Sequence, residues 1–201
     1  MELHTKTEQN ILISAEKVFY KKGKQGTSMQ DIADEAGITR TSLNYYYRSK
    51  DKLFEAVFKN AMNSFMPKVS ELMSSNDPLM DQFPALVENI IDLFIEKPQI
   101  PVFVLQELSS NPSRLPQIWM ELGINPEKVV RKMKEEKAYA YLKVDPRQLV
   151  ISVISMCIFP FAAKPILVPL MFEEDENAFI EAMQQRKLLI PKMIENLIKN
   201  N

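Results

Sequence analysis

The 201-residue chain predicts an all-α fold, and three observations carry that expectation. Apolar residues recur at three- and four-residue intervals along most of its length, with no strict alternation that would mark a strand. Three of the four glycines, Gly23, Gly26 and Gly37, fall within the first 37 residues, whereas all thirteen prolines lie after residue 66. The N-terminal region is therefore built on tight turns, and the remainder is a series of helices punctuated by proline.

The first helix runs from about Thr7, with Ile11, Ala15, Val18 and Phe19 on one stripe. Lys21 and Lys22 suit its negative C-terminus, and Gly23 stops it. Ser28 opens a second, short helix, with Asp31 placed three residues later as an approximate capping box. Ile32, Ala33 and Ala36 face inward. Gly37 supplies the next turn, and Thr39 caps a third helix with Leu43 and Tyr47 on its buried side. A fourth helix follows Ser49. Its wide stripe of Leu53, Phe54, Val57, Phe58, Ala61 and Phe65 needs two neighbours, as expected of a connecting helix. Further helices are expected at 82–96, 101–111, 114–122, 126–141, 146–163 and 175–200, two of them announced by Asn125-Pro126 and Asp145-Pro146. The last carries Phe179, Met183, Ile190, Ile194 and Leu197 on one side.

Two short helices around a glycine turn, preceded by a longer helix, have helix-turn-helix geometry. Ala33 is small where the helices cross, and Ile38 and Leu43 close the core beneath. The third helix then exposes Arg40, Thr41, Asn44 and Tyr45 on one face. Arginine can bond guanine in bidentate fashion, asparagine can do so with adenine, and threonine can touch a thymine methyl. Lys50 can reach phosphate. Total charge says little: the formal net charge is -1, with ten Lys or Arg against eight Asp or Glu in residues 1–60 and fifteen against eighteen thereafter. A local basic face is what phosphate binding requires.

The run from Thr27-Ser28-Met29-Gln30-Asp31-Ile32-Ala33 through Ala36-Gly37-Ile38-Thr39-Arg40-Thr41-Ser42-Leu43-Asn44-Tyr45-Tyr46-Tyr47 to Lys50-Asp51-Lys52-Leu53-Phe54 resembles the signature of TetR-family bacterial transcriptional regulators. With the Ile11-Leu12 and Val18-Phe19 pairs, the resemblance covers about residues 7–60. It implies a homodimer, with an N-terminal helix-turn-helix domain over 1–50 joined by the connecting helix to a helical ligand-binding and dimerisation domain over 51–201. It also implies phosphate contacts from Thr27, Tyr46 and Lys50, and base contacts from Gln30, Arg40, Thr41, Ser42 and Tyr45. Ser28, Thr39 and Asn44 complete the DNA-binding set. Asn44 stands where the family usually has tyrosine, Thr41 where it often has glycine, and Tyr47 where phenylalanine is usual. A relative's operator sequence therefore does not transfer.

Residues 61–201 carry no family-wide motif. Met62, Phe65, Phe94, Phe103, Trp119 and Met156 are candidates for a cavity that takes a small, rather apolar effector. The uncharged stretch of fifteen residues from Leu149 to Ala163 falls short of the roughly 20 that a bilayer requires. It is expected instead to dimerise, with helices 146–163 and 175–200 pairing with their symmetry mates in a four-helix bundle. A single Cys157 and a single His4 remove most zinc and nucleophile chemistry, so no metal or cofactor is expected. A lone cysteine that cannot form an internal disulfide fits a reducing cytoplasm, the expected location, and no secretory signal is expected. The reading is a DNA-binding regulator, a repressor of a palindromic operator. The alternatives are a small helical enzyme using the C-terminal cavity and a TetR-like activator.

Overall fold

The computed structural model describes residues 2–64, 66–75, 77–121, 125–136, 139 and 145–199. They form α1 (Glu2–Lys22), α2 (Met29–Ala36), α3 (Arg40–Tyr46), α4 (Lys50–Asn63), α5 (Met66–Ser74), α6 (Leu79–Glu96), α7 (Ile100–Ser110), α8 (Arg114–Glu121), α9 (Pro126–Glu135), α10 (Pro146–Ala162), α11 (Lys164–Met171) and α12 (Glu176–Lys199), with no strand among the described residues. The chain divides into two packing units: Met1–Ser64 with Phe103–Asn111, and Phe65–Val102 with Pro112–Asn201. The first thus takes in all of α4, beyond the 50/51 boundary drawn from the sequence.

In the first unit, α1 packs on α2 and α4, and α2 packs on α3. Ile11, Ala15 and Phe19 from α1 meet Ile32, Ala33, Leu43, Leu53 and Phe58 in a core where each is fully buried. Burying one such large side chain contributes roughly 1.5 to 3 kcal/mol. Phe54 joins Phe19 edge-on at 5.0 Å and Phe103 at 5.2 Å. The stripe expected on the fourth helix is buried from Leu53 to Ala61, while Phe65 lies outside the described residues.

In the second unit, α6 packs against α5, α10 and α12. Val87, Ile91 and Phe94 of α6, Val153, Cys157 and Phe161 of α10, and Phe179, Met183, Ile190 and Ile194 of α12 supply its buried side chains. Phe161 stands edge-on to Phe94 at 5.4 Å and to Phe179 at 5.9 Å.

Three sequence expectations are corrected here. Two helices were missed because their prolines read as breaks: Pro67 occupies the second position of α5 and Pro165 that of α11, where a missing amide costs nothing. The helix expected over 126–141 ends at Glu135, because Glu136 is extended and its carboxylate accepts the Leu79 amide at 3.0 and 3.1 Å. That bond serves α6, whose own cap position is Pro78 and offers no side-chain oxygen. Residues 137, 138, 140 and 141 of that expectation, Leu122 of the preceding one and Asn200 of the last lie outside the described residues. Finally, Leu197 is 40% exposed whereas Ile194, three residues before it, is 3% exposed, so the two do not share the buried side of α12.

No single helix among the described residues is long and apolar enough to cross a membrane. α10 and α11 have the combined apolar length, but they are bent by 73° at Ala163.

Candidate nucleic-acid interface

The α2–turn–α3 segment is determined by local chemistry at each boundary. Ser28 is extended and its hydroxyl oxygen accepts the Asp31 amide at 3.1 Å, while the Asp31 carboxylate accepts the Ser28 amide at 2.7 Å. That is a complete capping box. α2 ends at Gly37, whose φ of 66° lies in the left-handed region, and Ile38 then donates back to the Ala33 carbonyl at 3.0 Å. A side chain with a Cβ is strained in that conformation, which is why the turn needs glycine. Thr39 and Ser49 repeat the capping for α3 and α4, accepting the amides of Ser42 at 3.1 Å and Lys52 at 3.2 Å.

Polar bonds from α1 and α4 then fix the pair. Asn10 donates to the Ala36 carbonyl at 2.9 Å, at the end of α2. Lys22 pairs with Asp31 at 2.5 Å and Lys17 with Glu35 at 3.4 Å. The Lys22 ammonium, with the Ser28 hydroxyl after it, holds the Asp31 carboxyl well below the usual carboxylate range. Past α3, the Tyr47 hydroxyl donates to Glu8 at 3.2 Å, and burial, then the Glu8 charge, raises the phenol to about 12. The hydroxyl that distinguishes Tyr47 from phenylalanine thus ties the end of α3 to the start of α1. Lys24 pairs with Asp51 at 3.0 Å and sits 5.0 Å from the Phe54 ring centroid, joining the turn after α1 to α4.

The outer face of α3 carries four of the eleven residues of the predicted DNA-binding set. Arg40, Thr41, Asn44 and Tyr45 are exposed and Leu43 between them is fully buried, so the helical period places the four on the side away from the core. Ser42 and Tyr46 are half-buried, and the rings of Tyr45 and Tyr46 meet edge-on at 5.5 Å. Gln30 is exposed on α2 and donates to Asp34 at 2.7 Å. Ser28 and Thr39 are exposed with their hydroxyls engaged as caps. Thr27 and Lys50 differ from the rest. Thr27 is buried and donates to the Gly23 carbonyl at 2.7 Å, and Lys50 donates to the Thr27 carbonyl at 2.8 Å. Sequence reasoning did not include Arg48, which is exposed two residues beyond α3; its charge was the only signal.

The effector candidates are not gathered in this way. Met62 and Phe103 are buried in the first unit, and Phe94 in the second, where Met156 is half-buried. Phe65 and the Trp119 side chain lie outside the described residues. A cleft of about 350 Å³ in the first unit is lined by Lys22, Lys24, Phe54, Phe103, Glu107 and Asn111 among others, and Phe103 is the one candidate that reaches it. No group of His, Cys, Asp and Glu among the described residues could hold a metal ion.

Residues 11–57, from the middle of α1 into α4, match the model for bacterial regulatory proteins of the tetR family. Over that span the chain carries the DNA-binding region of the TetR family of transcriptional regulators. It is similar to the probable HTH-type transcriptional regulator YttP of Bacillus subtilis, with 22% identity over 92% of this chain and 91% of that one. It is also similar to IcaR of Staphylococcus epidermidis, a negative regulator of a biofilm operon, with 27% identity over 54% of this chain and 56% of that one. Among solved structures, AibR in complex with isovaleryl coenzyme A and operator DNA shares the fold at a TM-score of 0.62, with 19% identity over 77% of this chain and 85% of that one. TetR-family regulators bind DNA and are not enzymes, so the small-enzyme alternative falls.

Proposed function

We propose that this TetR-family chain is a cytoplasmic repressor that binds a palindromic operator as a homodimer and is released by a small, rather apolar effector bound in its C-terminal unit. The observation that carries the DNA half of this reading is the outward face of α3, where Arg40, Thr41, Asn44 and Tyr45 stand exposed around buried Leu43. These side chains supply the donors, acceptors and apolar surface that base edges in a major groove require. Repression follows if the operator overlaps a promoter, and the naming of IcaR as a negative regulator supports that sign.

A homodimer is supported by apolar surface that the single chain leaves in water. Leu189, Met193 and Leu197 repeat at four-residue spacing on α12 and are 49%, 50% and 40% exposed, and Leu188 is 81% exposed on the same helix. Ile151, Ile154 and Phe159 are likewise exposed on α10. An isologous pairing of these faces would supply two copies of α3, one for each half-site. Effector control is supported by the ligand-bound AibR complex and by the family fold.

The deciding experiment is a mobility shift with the DNA upstream of the protein's own gene, together with a reporter driven by that DNA. Binding at nanomolar protein and higher reporter output on deletion of the gene are expected. Lower output on deletion would make the protein an activator, and absence of any retarded species would refute the operator assignment.

A further inference from the structure

Thr27 and Lys50 are two members of the DNA-facing set that bond across the turn between α1 and α2. Thr27 is 3% exposed, with its hydroxyl on the Gly23 carbonyl at 2.7 Å. The Lys50 ammonium lies on the Thr27 carbonyl at 2.8 Å, across 23 residues of sequence. The two bonds act in series. Gly23 closes α1, Thr27 immediately precedes the cap of α2, and Lys50 is the first residue of α4. One short path therefore ties the end of α1 to the starts of α2 and α4.

The capping box at Ser28 and Asp31 satisfies amides within α2, but it leaves the direction in which α2 leaves the turn at residues 23–27 undetermined. Packing on α1 and the Asn10, Lys17 and Lys22 bonds hold α2 along its length, and the Lys50 bond adds a tie at its entry. We propose that Lys50 is a positioning residue for DNA recognition, which, through the Thr27 carbonyl, sets the angle at which α2 and α3 meet the bases. A charge-assisted bond to a half-buried carbonyl is about twice as strong as a neutral one, so it can hold that angle. α3 is only seven residues long and takes its placement from α2. A small pivot at Thr27 therefore carries Arg40 and Asn44 out of bidentate register with base edges, while leaving the overall positive charge near DNA in place.

This inference rests on the DNA-binding reading, and the test separates the two. The probes are a labelled duplex that the wild-type protein enriches from a random-sequence library and an unrelated duplex of equal length. A wild-type protein that enriches nothing refutes DNA recognition itself. If Lys50 positions α2, Lys50→Met binds the selected duplex about tenfold or more weakly and the unrelated duplex within about twofold of wild type. Thr27→Val, which changes no charge, shows the same selective loss with an unaltered salt dependence. Uniform loss on both duplexes in Lys50→Met, with the log–log salt slope reduced by about 0.9 for each phosphate contact removed, makes Lys50 a simple phosphate contact and overturns the proposal. Should thermal melting show that Lys50→Met is unfolded, Lys50→Gln takes its place: wild-type affinity for the selected duplex overturns the proposal, and a selective loss sustains it.

Discussion

Arg186 on α12 donates a 2.9 Å hydrogen bond to the backbone carbonyl of Met156 on α10, the carbonyl that Pro160 leaves without its helical donor. Proline has no amide hydrogen, so the residue four before it loses its partner inside the helix. α10 nonetheless continues to Ala162, and the guanidinium supplies from a neighbouring helix what the backbone cannot. A half-buried arginine beside the buried Cys157 thereby acquires a structural reason.

That relationship predicts a coupling. Arg186→Ala should destabilise the protein by about 2 kcal/mol, the range for a bond from a charged donor. In a Pro160→Ala background the amide of residue 160 serves Met156, and the same substitution should cost at least about 1 kcal/mol less. Urea unfolding of the four proteins measures the cycle. Equal costs in both backgrounds would mean that Arg186 stabilises something other than this carbonyl.

The capping box at the start of α2 makes a pH-dependent contribution. Ser28→Ala should cost about 1 kcal/mol in stability. The Asp31 carboxyl lies below its ordinary value of 3.8 in the folded protein, because of the Lys22 ammonium first and the Ser28 bonds after it. A group depressed in this way contributes fully above its unfolded pKa, and the contribution fades as pH falls below about 4. Wild type should therefore lose stability from pH 4 to pH 2 more steeply than Asp31→Asn, as followed by thermal melting. Parallel pH profiles would show that the carboxylate is energetically idle.

Cys157 should be inert in the native state. It is fully buried, and burial pushes its thiol up to about 12, a shift only partly opposed by the charge of Arg186. The thiolate needed for attack on a disulfide reagent is scarce and inaccessible at pH 8. Ellman's reagent should label it only at the rate of unfolding, with full reaction in 6 M guanidinium. Rapid stoichiometric labelling of the folded protein would contradict its placement.

Arg40 carries the sharpest expectation for sequence readout. Arg40→Ala should weaken binding to the selected duplex by roughly 1 to 3 kcal/mol and relax preference at one base position per half-site. Fluorescence anisotropy on a panel of single-base variants measures both. Retained affinity and an unchanged preference would remove Arg40 from the base-reading face.

The proposed dimer face can be tested without DNA. Leu188→Asp combined with Met193→Asp places two charges on the exposed face of α12, where a single chain tolerates them and an apolar pairing does not. Analytical ultracentrifugation should show a folded monomer. Ile194→Asp is the contrasting variant: Ile194 is buried within its own chain, so that substitution should unfold the unit before it reports on association. A stable dimer in the double variant would place the interface elsewhere.

Sequence by itself determined the helix-turn-helix. Ser28, Thr39 and Ser49 each cap a helix through the amide three residues onward, and Gly37 adopts the left-handed turn that its lack of a side chain allows. The buried positions of α2, α3 and α4 follow from 3.6-residue periodicity. Such signals act within a single turn of chain, so their outcome is written in neighbouring letters. Tertiary structure decided everything that required a distant partner: Lys50 on Thr27, Glu136 capping α6 from 57 residues away, and Arg186 on the carbonyl that Pro160 orphans. It also decided that Ile194 is core and Leu197 is surface, since one hydrophobic stripe on α12 has to be divided between α6 and open solvent. Caps and turns are governed by short-range sterics and hydrogen bonds, whereas these pairings depend on which helices the whole chain brings together.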